Sequence, residues 1–167
     1  MLDGEERRQE ILKSLKNTPQ AIPARRFAEL FEVSRQVIVG DIALLRAEGH
    51  PIISSYKGYH LEEELQGYIA QYVAKHTKQD TQKELETIVE MGAIVRDVTI
   101  EHPFYGELTG RLEIQTDEDI HTFLKQQPEL LAGLTHGIHT HTLICKDKEH
   151  FIHVLKKLDE LGFVYKN

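Results

Sequence analysis

The sequence predicts an α+β protein of two domains, and three observations support that fold class. The first part of the chain shows helical apolar patterns followed by two short β segments, whereas strand and helix patterns alternate in the second part. Acidic residues are concentrated in the second part. The 167 residues are enough for two small hydrophobic cores. We expect domains at residues 1–62 and 63–167, with the boundary near three glutamates that begin at Glu62.

The first domain is predicted to contain three short helices. The third begins after Ser34, a favourable N-cap residue, and its apolar stripe consists of Ile38, Ile42 and Leu45. The two earlier helices are expected at residues 5–15 and within AIPARRFAELFEV. Their apolar residues are Ile11, Leu12 and Leu15 in the first, and Ala28, Leu30 and Phe31 in the second.

A β-hairpin is predicted after the third helix, with strands at residues 51–55 and 59–61. Three helices and such a hairpin make a winged helix-turn-helix, a DNA-binding fold whose recognition helix enters the major groove. The outer face of the third helix is small and polar, which suits that role. Gly40 within this helix costs about 0.5–1 kcal/mol relative to alanine, and close approach to DNA is one reason for it. The expected DNA contacts are Ser34, Arg35, Gln36, Val39 and Gly40 in the helix, with Tyr56 and Lys57 in the hairpin.

An alternative for the first domain is a small scaffold or a protein-binding module built from the same elements. The combination of the S-R-Q start and the D-I-x-x-L-R-x-x-G ending favours DNA binding over this alternative. Asp41 and Arg46 are more simply explained by pairing within the domain than by contact with bases.

The distribution of charge assigns nucleic-acid binding to the first domain alone. Through Leu61 there are nine basic and eight acidic residues, whereas the remainder has eleven basic and nineteen acidic residues, a net charge of −8. Phosphates would repel the second domain. The overall charge of −7 is therefore compatible with DNA binding by the first half.

Cysteine content and hydropathy favour a cytoplasmic protein that does not associate with membranes. Cys145 is the single cysteine, so there is no internal disulfide and a reducing compartment is suitable. No apolar run approaches the roughly 18 residues of a membrane-spanning helix. The N-terminus MLDGEERRQE lacks the apolar segment of an export signal.

The second domain is predicted to have the element order βαββαβαβ. This order implies an α+β sandwich, with a mixed or antiparallel sheet and helices largely on one face. Strands are expected at residues 67–75, 93–101, 107–115, 138–145 and 163–165, and helices at residues 80–91, 117–126 and 147–161.

Two histidines one residue apart indicate a candidate metal site in this domain. On a strand, His139 and His141 point to the same face with Cα atoms roughly 6.5 Å apart, close enough to converge on one ion. His76, at the end of another strand, and Glu84, early in the next helix, are candidates for the third and fourth ligands. Three imidazoles and a carboxylate suit one divalent transition metal such as nickel, zinc, iron or cobalt.

Each of these residues also has a simpler explanation. An H-x-H pair on a strand is often an exposed polar face. Glu84 also completes a possible capping box with Thr81, in which it would bond backbone instead of metal. His150 and His153 are expected to face solvent. His102 precedes a proline and a glycine at a strand connection, where it lines a pocket beside the metal or stabilises the turn.

The motifs of both domains resemble one family, the niacin-responsive transcriptional repressors of Gram-positive bacteria. The resemblance rests on SRQVIVGDIALLRAEG, the SYKGYHL wing, AKH ending at His76, EHPFYGELTG and GIHTHTL, in this order along the chain. Members join a winged helix-turn-helix of the biotin-repressor type to an α/β-sandwich 3H domain. The metal ligands that the resemblance implies are His76, Glu84, His139 and His141.

The resemblance implies a homodimer that binds a double-stranded DNA operator and represses genes of NAD biosynthesis or niacin uptake, with nicotinic acid as corepressor. We expect nicotinic acid beside the metal, in contact with His102, Tyr105 or Arg96. A metal-sensing regulator without an organic effector is the alternative. A metalloenzyme with a DNA-binding head is disfavoured, because the sequence offers no clear general base beyond the ligands, no phosphate loop and no cofactor fingerprint. We therefore expect no catalytic residues.

Overall fold

A computed structural model describes residues 1–63, 66–126 and 131–166 of the chain. It divides the chain into two units, Met1–Glu64 and Leu65–Asn167. The α+β class is confirmed, since the first unit is mainly helical and the second combines a sheet with helices. No helix among the described residues has the length and apolar character needed to cross a membrane.

The first unit contains the three predicted helices and the predicted hairpin. Its elements are α1 (Gly4–Lys16), α2 (Ala24–Phe31), α3 (Arg35–Ala47), β1 (Ile52–Ser55) and β2 (Gly58–Leu61). Ser34 caps α3 as expected, accepting a hydrogen bond from the Val37 N–H at 3.2 Å. The core combines residues of all three helices and β1, and its buried members are Ile11, Leu15, Ala24, Phe27, Ile38, Ile42, Leu45 and Ile52.

The apolar face of α2 differs from the expected one. Leu30 is 65% exposed, whereas Phe27 is 1% exposed and occupies the core. Ala24, Phe27, Ala28 and Phe31 follow the i, i+3, i+4, i+7 spacing of one helix face, which leaves Leu30 beside that face.

Asp41 and Arg46 each have a partner within the first unit, but they do not pair with each other. The buried Asp41 carboxylate accepts hydrogen bonds from Arg7 Nε at 2.6 Å and Arg7 Nη2 at 3.1 Å. Arg46 instead donates from Nε to the Ile52 carbonyl at 2.9 Å. These pairs tie α1 to α3 and α3 to the hairpin, so both residues have a structural role.

The second unit contains a four-stranded sheet. Its elements are β3 (Tyr68–Lys75), α4 (Thr81–Glu90), β4 (Ile94–His102), β5 (Gly106–Ile114), α5 (Asp117–Gln126), β6 (Ile138–Cys145) and α6 (Lys148–Glu160), with short 3₁₀ helices at Lys78–Asp80 and Leu131–Thr135. The strand order is β5-β4-β6-β3, and all three neighbouring pairs are antiparallel. Because α4 contacts both α5 and α6, and all three helices contact the sheet, the helices form one layer against it.

The strand predicted at residues 163–165 does not form as a separate strand. Val164 makes only an isolated bridge with Ala74, flanked by the hydrogen bonds Lys75 N to Phe163 O and Tyr165 N to Val73 O. A tight turn after α6, with Gly162 at φ 79°, leaves only this short segment beside β3. The observed order among the described residues is therefore βαββαβα.

Candidate metal centre and candidate DNA-binding surface

The four residues expected to bind a metal lie together inside the second unit. Glu84 Oε1 is 2.9 Å from His76 Nε2, 3.1 Å from His139 Nε2 and 3.0 Å from His141 Nε2. Glu84 is fully buried, and the histidine side chains are at most 4% exposed. The candidate ligand atoms of His76, Glu84 and His139 all lie within 4.8 Å of one another.

Three elements of the second unit position these side chains. His76 directly follows β3, Glu84 lies in the first turn of α4, and His139 and His141 point from β6 toward the helix layer. Asp80 is the N-cap of α4, and it makes no side-chain capping bond. The capping box that would have engaged Glu84 is thus absent from this helix, and the carboxylate is available to the histidines.

Tyr72 holds the other oxygen of the Glu84 carboxylate. Its hydroxyl donates a 2.9 Å hydrogen bond to Oε2, which leaves Oε1 to face the three imidazoles. Burial, and then the nearby Glu84 charge, raise the pKa of Tyr72 well above 10, so the hydroxyl stays protonated as a donor. The residues next to Tyr72 in the sequence do not indicate this role. The register of β3 with β6, which pairs Tyr72 with His141, is the signal that would have identified it.

Backbone carbonyls fix which nitrogen of each imidazole faces the cluster. Nδ1 of His76, His139 and His141 lies 2.7, 2.8 and 2.9 Å from the carbonyl oxygens of Thr77, Gly137 and Asp97, respectively. Because a carbonyl oxygen only accepts, each Nδ1 carries the proton and each Nε2 is directed toward Glu84. Metal-bound histidines are oriented in the same way, with the second ring nitrogen donating to a carbonyl or carboxylate.

Protons alone do not satisfy this arrangement. A neutral imidazole presents an Nε2 lone pair to Oε1, and contacts of 2.9–3.1 Å between lone pairs are repulsive. Three imidazolium ions would place two uncompensated charges in a buried site. A cation bound by the same donors removes the conflict. The residues present therefore fit a divalent transition metal, for which three imidazoles and one carboxylate are suitable ligands.

Attraction between Glu84 and the histidines shifts the pKa values of both partners. Burial opposes ionisation of Glu84, but the positive charge of His141 in its imidazolium form, together with hydrogen bonds that imidazolium Nε2–H groups of the three histidines can donate, outweighs it and holds the Glu84 pKa well below its usual range. Burial likewise lowers the pKa of His76 and His141, yet the Glu84 carboxylate prevails and raises both. The carboxylate stays ionised and attracts positive charge to the cluster.

His102 and Tyr105, two of the three expected effector contacts, lie away from this cluster. His102 Nδ1 accepts hydrogen bonds from the backbone N–H groups of Phe104 and Tyr105, both at 3.1 Å, so His102 stabilises the turn between β4 and β5. It is four residues beyond Val98, the partner of His141, which corresponds to roughly 13 Å along the strand. Tyr105 is 71% exposed at the same turn.

Arg96, the third expected effector contact, precedes a residue that contacts the histidine cluster. It lies where the register of β4 shifts against both neighbouring strands, and the next residue, Asp97, supplies the carbonyl for His141.

Two other expectations in the second unit have different outcomes. His153 is exposed as predicted. His150 is only partly exposed: its Nδ1 accepts from the Lys146 N–H at 3.0 Å and its Nε2 donates to the Met91 carbonyl at 2.6 Å, which joins α6 to the end of α4. Cys145 is buried at the far end of β6, and burial raises its pKa.

The expected DNA-contacting residues of α3 form one exposed face in the first unit. Ser34, Arg35, Gln36, Val39 and Gly40 are all exposed, on the side opposite Ile38 and Ile42. A β-carbon on Gly40 would meet no atom within 4 Å, so no contact inside the protein requires glycine there. The Ser34 hydroxyl is used in the helix cap, where it accepts the hydrogen bond from the Val37 N–H.

The hairpin expected to act as the wing is anchored to the segment before α2. Tyr59 and Ile22 exchange backbone hydrogen bonds of 2.8 and 2.9 Å. Gly58 has φ 124°, and a β-carbon there would lie 2.5 Å from the Ile22 carbonyl, so the close approach requires glycine. The turn residues Tyr56 and Lys57 are partly buried, with the Lys57 ammonium 5.8 Å from the centre of the Tyr56 ring.

Comparison with known proteins agrees with the two units. A family model described as an HTH domain matches residues 7–60, and one described as the 3H domain matches residues 69–167. The chain is similar to the transcription repressor NadR of Bacillus subtilis (strain 168), with 35% identity over 99% of this chain and 97% of that protein. It is also similar to the probable transcription repressor NiaR of Thermotoga maritima, with 32% identity over 96% of this chain and 94% of the relative.

These matches define a transcriptional regulator with an N-terminal DNA-binding domain. The chain belongs to the family of transcription repressors, typified by NadR and NiaR, that join a helix-turn-helix domain to a 3H domain. The resemblance found in the sequence is thereby confirmed, as is the expectation of a regulator that is not an enzyme.

Proposed function

We propose that this protein is a cytoplasmic homodimeric repressor of NAD biosynthesis or niacin uptake genes, in which nicotinic acid and a transition metal in the second unit control operator binding. The observation that carries the proposal is the convergence of three imidazole nitrogens on one buried carboxylate oxygen, with every Nδ1 committed to a carbonyl. A single divalent cation would satisfy the three Nε2 atoms and the carboxylate at the same time.

His76, Glu84, His139 and His141 would hold the metal, and Tyr72 would orient the carboxylate. When bound, the ion supplies a Lewis-acid position for a ring nitrogen or carboxylate. The protein residues keep the site dry, fix the imidazole tautomers and hold Glu84 ionised.

In the first unit, the proposal assigns base contacts to the exposed face of α3. Arg35 and Gln36 lie at the N-terminal end of that helix, the part that reaches base edges in helix-turn-helix proteins. Gly40 permits close approach, and Lys57 in the hairpin is assigned to the DNA backbone. A symmetric dimer would read half-sites about one helical turn apart, or a multiple of that distance.

Nicotinic acid acts as corepressor only if it binds the DNA-competent dimer more tightly than the incompetent one, since linkage is reciprocal. The proposal therefore predicts a measurable coupling between the two binding reactions. An operator selected from random duplexes would be titrated with metal-loaded protein, with and without nicotinic acid. We expect tighter binding with nicotinic acid, no such gain with nicotinamide, and no gain in Glu84→Gln. Unchanged operator affinity in the wild-type protein would overturn the proposal.

A metal-sensing regulator is the second candidate, and the same cluster favours it, because four protein donors are enough to close a tetrahedral site. The two candidates differ in one measurement. In a metal sensor, removing and restoring the metal without nicotinic acid changes operator affinity fully. In a repressor that uses nicotinic acid as corepressor, the full change in affinity also requires nicotinic acid.

A further inference from the structure

A cavity adjoins the candidate metal centre and is large enough for a small organic molecule. Its volume is about 910 Å³, within the range of roughly 300–1,000 Å³ that ligand pockets occupy. Its wall consists of the end of β3, the segment leading into α4, the 3₁₀ helix before β6 and the turn after α6. Its lining includes Lys75, His76, Lys78, Asp80, Gly133 and Phe163.

The cavity and the cluster share structural elements. His76 lines the cavity, while its Nε2 faces Glu84 Oε1 at 2.9 Å. Gly137 also lines the cavity, and its carbonyl accepts the hydrogen bond that orients His139. A molecule in the cavity therefore contacts the segments that hold two candidate metal ligands.

The charge of the lining is opposite to that of the rest of the second domain. Lys75 and Lys78 provide two positive charges, and Asp80 provides one negative charge that is already hydrogen-bonded to the Thr77 hydroxyl at 3.1 Å. Counting lysine, arginine, aspartate and glutamate only, the lining has a net charge of +1, whereas the region from residue 62 onward has a net charge of −8. Within an acidic domain, this cavity is suited to an anion.

The remaining wall is apolar and contains an aromatic ring. Phe163 is 7% exposed, and its ring centre is 5.4 Å from that of His76 in an edge-to-face arrangement. Leu134 and Leu161 extend the apolar surface. An apolar wall with an aromatic ring and a few cationic groups suits a small flat molecule that carries a negative charge.

We propose that this cavity is the effector site and that it binds a small aromatic carboxylate, with the ring against Phe163 and the carboxylate near Lys75 and Lys78. The assignment rests on the proposed function. It replaces His102 and Tyr105, which lie at the distant β4–β5 turn, as effector contacts.

Gly133 lines the cavity and has room for a β-carbon, so it is the position chosen to narrow the cavity. A β-carbon at Gly133 would meet no atom within 4 Å, and its φ is outside the left-handed region. In the full-length, nickel-loaded protein, Gly133→Leu should weaken nicotinic acid binding, measured by calorimetry, by about tenfold or more, because the leucine side chain would occupy space that the ligand needs. A tenfold loss of affinity corresponds to about 1.4 kcal/mol. Gly133→Ala is the matched control and should lose much less.

The charge requirement is tested by substituting lysines. Lys75→Ala should weaken nicotinic acid binding about threefold, as expected for a solvent-accessible ion pair. Lys83→Ala, an exposed lysine of α4 outside the cavity, is the control and should have no effect. Nicotinamide, which lacks the negative charge, should bind more weakly than nicotinic acid to the wild-type protein.

The outcomes separate this inference from the proposed function. If the wild-type protein binds nicotinic acid and Gly133→Leu binds it equally well, with nickel affinity unchanged in both, the cavity assignment is wrong while the repressor proposal stands. Failure of the wild-type protein to bind nicotinic acid would overturn both. Loss of binding in Gly133→Leu, with nickel affinity and melting temperature retained, supports the cavity.

Discussion

Gly137 lies directly against the backbone of His76. It has φ 88°, and a β-carbon built on it would overlap the His76 carbonyl oxygen. The same glycine supplies the carbonyl that orients His139, at 2.8 Å. One residue without a side chain thus brings together two candidate ligands that are 63 positions apart in the sequence.

Gly137→Ala should therefore weaken metal binding by more than the backbone strain of an alanine at this positive φ accounts for. An alanine at positive φ costs roughly 1–2 kcal/mol at any such position, but here the methyl group must also displace His76. Gly106→Ala is the matched control, because Gly106 has φ 75° and open space around its Cα. Calorimetric titration with zinc should show a loss of affinity in Gly137→Ala and none in Gly106→Ala. Equal affinities in the two variants would contradict this role of Gly137.

Tyr72→Phe tests whether the tyrosine positions the Glu84 carboxylate. Loss of the hydrogen bond to a buried charge should destabilise the metal-free protein by about 1.5–3 kcal/mol, measured by urea unfolding. Metal affinity should fall about tenfold or more, as for other groups that orient a ligand. Tyr68→Phe, on the same strand and with its ring against Phe151, should change neither quantity. A Tyr72→Phe variant with wild-type metal affinity would exclude a positioning role.

Metal stabilisation should increase with pH. The raised pKa values of His76 and His141 stabilise the metal-free protein below the ordinary histidine pKa, and this contribution disappears as the pH rises through the raised values. Metal binding instead requires neutral imidazoles. The increase in melting temperature that zinc produces should thus become larger between about pH 6 and pH 8, since the ordinary histidine pKa is about 6.5. A gain that stays constant or shrinks over this interval would show that the histidines are not the ligands.

Gly40→Ala should separate stability from DNA binding. The methyl group meets no atom of the protein, so the variant should gain about 0.5–1 kcal/mol of stability from improved helix propensity. Operator affinity should nevertheless fall, because the added group lies on the face assigned to DNA. Thermal unfolding and fluorescence anisotropy measure the two effects. If affinity is retained together with the gain in stability, close approach is not the reason for this glycine.

The sequence predicted those features that depend on local signals. Each of these features follows from residues close together in the chain. They are the Ser34 cap, the apolar stripe of α3, and strand β6, which carries two histidines on one face. The convergence of His76 and Glu84 on that pair was expected from strand and helix order and from the family resemblance.

The features that were missed depend on contacts between distant segments. Tyr72 reaches Glu84 because β3 pairs with β6 in one particular register, and His150 reaches Met91 because α6 packs on α4. The cavity is bounded by two 3₁₀ segments and the turn after α6, none of which has a periodic apolar pattern. Phe27 replaces Leu30 in the core because helix phase, not hydrophobicity alone, decides burial.

The central claim, that three histidines and one glutamate bind a single cation, is tested most directly by X-ray absorption spectroscopy of the protein loaded with one equivalent of zinc. We expect one zinc ion per chain, with nitrogen and oxygen neighbours at about 2.0–2.2 Å. The spectrum should show the scattering of three imidazole rings, and Glu84→Gln should no longer bind zinc at this site. Absence of stoichiometric zinc, or the same spectrum in Glu84→Gln, would contradict the account.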